Sequence, residues 1–126
     1  MSENETNAVA VLVDYLDDGY MQQVGIPAED GVHNALSIEF RPCLAAETSK
    51  AIDAAGDESY IGATIELLAD KLKRWNLKDR GGRTLPINKT TLARVKRALL
   101  VKIIDAVVFG KLPDGARTDV EGYLKN

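Results

Sequence analysis

Residues 36–56, LSIEFRPCLAAETSKAIDAAG, change their hydrophobic period halfway along, and that change sets the fold class. Leu36, Ile38 and Phe40 alternate with Ser37 and Glu39, the pattern of a half-buried strand with one apolar and one polar face. The alternation stops at Arg41-Pro42, and proline suits the first turn of a helix, where its missing N–H is not needed. The stretch from Cys43 then reads as a helix, with Gly56 as its C-terminal cap.

Working outward toward the N-terminus, residues 1–7 are expected to be disordered. Val9, Val11, Val13 and Tyr15 alternate within residues 8–16 and predict a strand, followed by a turn around Gly19. Residues 21–27, MQQVGIP, read as a second short strand or an irregular segment, because Gly25 and Pro27 punctuate them. A loop with a turn at Asp30-Gly31 leads into the 36–40 strand.

Downstream, Asp57 or Ser59 caps a helix in which Ile61, Ile65, Leu68, Leu72 and Trp75 follow steps of three and four, so the helix is expected to run to Trp75. Residues 76–87 form a connector. Asp79, Gly81 and Gly82 supply turn chemistry, and the flanking segments are expected to pair as a small hairpin. Trp75, Leu77, Leu85 and Ile87 then cluster over the helix ends. Asn88 or Thr90 caps a third helical region, in which Leu92, Val95, Leu99, Ile103 and Val107 repeat the stripe. Either one helix runs from about 89 to 109, or it breaks near Arg97-Ala98; Gly110 ends it. Residues 111–126 read as a weakly specified tail. The expectation is one α+β domain over 8–110, with a small antiparallel N-terminal sheet or hairpin (8–41) followed by three to four packed helices (42–110).

Composition agrees with a globular chain: 126 residues, 45% apolar and 28% charged. Cys43 is the only cysteine, so no internal disulfide forms; this fits a reducing compartment. The start MSENETN lacks the basic and apolar regions of a signal peptide, and the 99–109 apolar run is interrupted and too short to span a bilayer. The expected location is the cytoplasm, with no membrane partner. The net charge of −3 conceals a segregation: residues 1–70 carry 14 acids and 2 bases, whereas residues 71–102 carry 11 bases and only Asp79. Such asymmetry suits a solvated face, a nucleic-acid surface or a protein partner of opposite sign.

Groups for catalysis are few. One histidine, His33, and one cysteine fall short of a zinc site, and neither GIPAEDG nor DRGGR is a phosphate loop. The acids Asp17, Asp18, Glu29 and Asp30 match no calcium-loop spacing. No enzyme activity, metal or cofactor is expected. The basic residues give two binding readings. Lys78, Arg80 and Arg83 stand on the connector as a contact patch, with Arg94 and Arg97 on the helix that follows and Trp75 at the mouth of a groove between the two long helices. A nucleic-acid reading of 71–102 is opposed by a connector much longer than a helix-turn-helix turn, and by the lack of an aromatic stacking platform.

The order of these elements resembles the tail assembly chaperones of long-tailed phages and prophages. The residues that carry the resemblance are Phe40, Arg41 and Pro42 at the strand end, Trp75, Leu77, Asp79 and Gly82 in the turn, and Leu85, Pro86, Ile87 and Leu92 leading into an apolar helix. It covers roughly residues 36–110, and RGGR departs from the acidic turn usual in that family. The resemblance implies a non-catalytic, oligomer-prone protein. Its partners would be a tape-measure protein, whose amphipathic helices it keeps from aggregating, and the tail-tube protein.

Overall fold

The structure, a computed structural model, describes residues 20–57 and 59–124. The strand expected at 8–16, its turn at Gly19, and Asp17 and Asp18 lie outside them. Among the described residues three strands form one antiparallel sheet in the order β1 (Gln22–Ile26), β2 (Leu36–Phe40) and β3 (Leu72–Trp75). Helices α1 (Ala45–Ala54), α2 (Tyr60–Lys71), α3 (Lys89–Leu92), α4 (Arg97–Phe109) and α5 (Glu121–Leu124) complete an α+β fold.

The QQVGI segment is therefore a strand: Gln22 faces Phe40 at one end of the register and Ile26 faces Leu36 at the other. Alternation then sorts the side chains. Val24, Ile26, Leu36, Ile38 and Phe40 point to one face and are buried. Gln23, Gly25, Ser37 and Glu39 point to the opposite face.

The helix expected to reach Trp75 ends four residues earlier, at Lys71, and the chain turns directly into β3. The misleading spacing has a physical origin. The register pairs Trp75 with Ile38, Arg74 with Glu39 and Leu72 with Phe40, so Lys73 is an extra, bulged residue. A bulge shifts the alternation by one, which puts Leu72 and Trp75 on the same, inner face although they stand three apart. A helix and a bulged strand therefore share this hydrophobic spacing.

Trp75 is 2% exposed, and its indole N–H donates to the Leu85 carbonyl at 2.8 Å. That bond fastens the 77–85 hairpin, which forms as expected. The Leu85 N–H donates to the Leu77 carbonyl (2.8 Å), and the Asp79 N–H donates to that of Arg83 (2.9 Å). At the tip, the Asp79 carboxylate accepts from the Arg83 N–H at 3.0 Å, and Gly82 takes φ +83°, a left-handed conformation that favours glycine. Leu77, Leu85 and Ile87 are partly buried against the core beside Trp75.

Asn88 caps α3 through its side chain, which accepts from the Thr91 N–H at 2.8 Å. The helical region then breaks before Arg97, because Lys96 takes an extended backbone (φ −54°, ψ 135°). The turn lets Leu92 and Leu99 both enter the core. Helix α4 is buried almost all round, through Leu99, Leu100, Ile103, Ile104, Ala106, Val107 and Val108. The start of α1 is tied to its end: the Thr48 hydroxyl donates to the Val108 carbonyl at 2.8 Å and the Cys43 N–H to that of Val107 at 3.2 Å. Gly110 closes α4 in the left-handed region at φ +64°.

The stretch after Gly110, read as a weakly specified tail, packs against the sheet through residues of its described part. Arg117 exchanges both backbone hydrogen bonds with Gly25 (2.6 and 3.1 Å), and Val120 and Leu124 are buried. Gly25 makes this approach possible, since a Cβ there would lie 2.8 Å from Val120 Cγ1. The segment covers the outer face of the sheet, which explains why Ser37 is only 6% exposed.

Trp75→Ala is expected to lower stability by about 3–5 kcal/mol in urea unfolding, the usual range for truncating a buried aromatic ring. Gly25→Ala is expected to cost about 1–3 kcal/mol by overpacking. Val120→Ala in the same background should recover part of that loss, because it removes the clashing methyl.

Candidate functional site

Two constellations stand out, one on the outer face of the sheet and one at its end. On the outer face the cross-strand neighbours Gln23, Glu39 and Arg74 meet Glu121 of α5. Arg74 holds Glu39 through Nε (2.8 Å) and Nη2 (3.1 Å), and holds Glu121 through Nη2 (2.7 Å) and Nη1 (3.1 Å). Gln23 Nε2 donates to both carboxylates, at 3.0 Å to Glu39 and 2.5 Å to Glu121. Hydrogen bonds from Arg74, and then from Gln23, hold the Glu39 carboxyl below the usual carboxylate range. With every member partnered, this network docks α5 on the sheet.

The other constellation is a cleft of about 520 Å³ at the end of the sheet where β2 begins. Three segments line it: residues 32–36 before and at the start of β2, Asn76 to Asp79 with Leu85 from the hairpin, and residues 91–99 around the α3–α4 turn. Its floor is apolar (Leu36, Leu77, Leu85, Val95 and Leu99), and Lys78, Arg94 and Lys96 stand at its rim with Asp79. Asn76 holds the junction by extending the ladder past β3: its Oδ1 accepts from the Ser37 N–H at 2.8 Å and its own N–H donates to the Ser37 carbonyl at 3.2 Å.

The six residues marked by the sequence as contact residues are divided by the fold. Lys78 and Arg94 line the cleft together. Arg80 and Arg83 are exposed at the hairpin tip, and Arg97 is exposed in the first turn of α4; none of the three lines the cleft. Trp75 lies in the core, so its ring stands at no groove mouth. Lys96 and Val95 join the cleft only because the helix breaks before Arg97, and the 32–36 wall arrives from a distant part of the chain. Periodicity marks Val95 but carries no signal for the distant 32–36 wall.

Part of the charge segregation is folded back on itself. Lys71 pairs with Glu47 (2.8 Å), Arg74 with Glu39, Lys102 with Glu29 (2.6 Å) and, more loosely, Lys89 with Glu66 (3.8 Å). The Lys102 ammonium holds the Glu29 carboxyl below its usual range. His33 lies at the cleft wall with its side chain 3% exposed, its Nδ1 2.8 Å from the Asn34 carbonyl oxygen and its Nε2 2.7 Å from Lys102 Nζ. Cys43 sits elsewhere, among Glu47, Lys71 and Asp70. Burial, with Glu47 beside it, pushes its thiol up to about 11, so little thiolate exists at neutral pH. Among the described residues no group of three or more His, Cys, Asp or Glu side chains is placed to hold a metal ion, and no helix is long and apolar enough to cross a membrane.

No protein-family model matches the chain, and no curated protein or solved structure matches it significantly.

Because Glu39 is lowered in the folded chain, the stability it adds is fully present above the ordinary carboxylate range and is lost as pH falls through the lowered value. Arg74→Met is accordingly expected to be less stable than the wild type at pH 7, with the gap closing as the solution is acidified; urea midpoints measured across that range check it.

Proposed function

We propose that the chain is a non-catalytic binding protein that takes an acidic-rimmed, apolar-faced helix of a partner protein into the cleft between the hairpin and the α3–α4 turn. The observation that carries this reading is the cleft itself, an apolar floor of Leu36, Leu77, Leu85, Val95 and Leu99 beneath Lys78, Arg94 and Lys96. Its volume lies within the range of about 300–1,000 Å³ typical of ligand sites, enough for a few anchor side chains. Amphipathic helices dock in this way, with apolar side chains one turn apart entering the groove. The cationic rim favours partners with acidic flanks and speeds their encounter.

The resemblance to tail assembly chaperones supports the same class of function and gives the client a more specific form, the amphipathic helices of a tape-measure protein. A nucleic-acid surface is less well supported. Arg80 and Arg83 stand at the hairpin tip, Lys78, Arg94 and Lys96 at the cleft rim and Arg97 at the start of α4, and the cleft among them has an apolar floor.

The test is a titration of the isotopically labelled chain with a helical peptide carrying a leucine face and glutamate flanks. Amide shifts are expected at Leu77, Val95 and Arg94, and a peptide with lysine flanks should cause none. Lys78→Glu combined with Arg94→Glu should weaken the acidic peptide by about tenfold or more, which is about 1.4 kcal/mol, while leaving stability within about 0.5 kcal/mol of wild type, as for surface substitutions in general. Shifts confined to other surfaces would remove the cleft from consideration. Binding to duplex DNA that weakens steeply with added salt would transfer the function to the basic surface.

A further inference from the structure

We propose that a second pocket, between the start of β2 and the C-terminal segment, takes one apolar anchor side chain of the partner protein together with an adjoining carboxylate, where the partner's chain leaves the cleft in extended form. The pocket holds about 210 Å³ and forms where residues 115–123 lie against the end of β1. Pro27, Ala35, Val120 and Tyr123 give it apolar walls. Two glycines let the segment come so close. A Cβ on Gly25 would meet Val120 Cγ1 at 2.8 Å, and one on Gly115, which turns at φ +78°, would lie 3.4 Å from Pro27 Cγ.

Size and edge select the occupant. The pocket is smaller than the roughly 300–1,000 Å³ of small-molecule sites, so it suits a single side chain of leucine or phenylalanine size. Tyr123 leaves 57% of its surface exposed beside the apolar walls. Arg117 also lines the pocket. Its backbone is fixed to Gly25, its side chain is exposed, and among the described residues no carboxylate pairs with it, although Asp114 and Asp119 belong to the same segment. Tyrosine and arginine are enriched where proteins meet. A guanidinium also offers a carboxylate two parallel N–H donors.

This pocket is continuous with the cleft. Ala35, Leu36 and Asn76 line both, so the start of β2 is a saddle between them. The saddle carries backbone groups that can hold a crossing chain. Ser37 bonds to Asn76 on one side, and Leu36 pairs with Ile26 on the other. Alternation along the ladder therefore turns the Ala35 N–H and C=O back toward the side of β3, beyond the last ladder bond at Asn76. Ala35 is exposed, and among the described residues no hydrogen bond engages it. An extended segment crossing there adds main-chain hydrogen bonds to the anchor contact, the mode of strand addition at a sheet edge. The crossing rests on the helix-binding function proposed above, whereas the pocket's affinity for an apolar side chain beside a carboxylate does not.

The experiment uses the full, isotopically labelled chain and two kinds of probe. Acetyl-Leu-Glu-amide, titrated to millimolar concentration, is expected to shift the amides of Ser37, Gly115, Val120 and Tyr123 and to leave those of Val95 and Leu99 in place. Acetyl-Ser-Glu-amide should shift none of them. The acidic helical peptide is then lengthened by Ala-Ala-Leu-Glu at its C-terminus in one version and by Glu-Leu-Ala-Ala at its N-terminus in another, which covers both chain directions. One of the two should bind about tenfold or more tightly than the parent peptide, because the second contact is made within the same complex. Arg117→Glu and Tyr123→Ala, both at exposed side chains, should each remove that gain and the Leu-Glu shifts while leaving the parent's affinity unchanged. The absence of shifts with the Leu-Glu probe, equal shifts with the Ser-Glu probe, or two lengthened peptides that bind no more tightly than the parent would each overturn the proposal. A parent peptide that does not bind, with the pocket amides still shifted by the Leu-Glu probe, would remove the cleft and the crossing and leave the pocket standing.

Discussion

A single extra residue in β3 organises both faces of the sheet. With Lys73 bulged out, Leu72 and Trp75 both face inward beside Phe40 and Ile38, while Arg74 faces outward beside Glu39. The inner pair completes the wall against which α2 and α4 pack, and Trp75 carries the hairpin with it through its indole bond to Leu85. On the outer side Arg74 stands where it can hold Glu39 and Glu121 at once. Without the bulge the alternation would send Leu72 and Trp75 to opposite faces, and neither the core nor the docking of α5 would be complete.

The same economy governs charge. A chain whose first 70 residues are strongly acidic and whose next 32 are strongly basic would be expected to display two opposed surfaces. Part of that opposition is met internally, in the pairs Lys71–Glu47, Arg74–Glu39 and Lys102–Glu29, each joining the basic segment to the acidic one. Among the bases that remain outward, Lys78, Arg94 and Lys96 at the cleft rim lie over apolar ground. Exposed pairs of this kind add little stability one by one; their value here is in fixing which segments lie against which.

The elements that could be read from the residues are the ones specified locally. The alternation of 36–40, the turn chemistry around Asp79 and Gly82, the Asn88 cap and the Gly110 stop each depend on neighbours within a few positions. The end of α2 could not be read, because a three-residue apolar spacing is common to a helix and a bulged strand. The packing of residues 116–124 was hidden for a different reason: Gly25 looked like punctuation, whereas its missing side chain makes room for Val120. The cleft was half visible. Lys78 and Arg94 were marked by charge, but Lys96, Asn76 and the His33 loop join them only through contacts across the whole chain.

The seal between Gly25 and Arg117 has a bearing on biosynthesis. Among the described residues strand β1 lies at an edge of the sheet, and the groups that satisfy its outer backbone at Gly25 are supplied by a residue translated long afterwards. Gln23 waits still longer for its contact with Glu121, 98 positions away. A ribosome-bound chain that has made β1, β2 and β3 but not yet residue 117 therefore presents an unfinished sheet margin, a template for pairing with other chains. Late closure of distant contacts is also the slow kind. The nascent protein thus passes through an interval in which residues 116–124 are the missing shield, and the sheet margin stays open to misassembly until they dock.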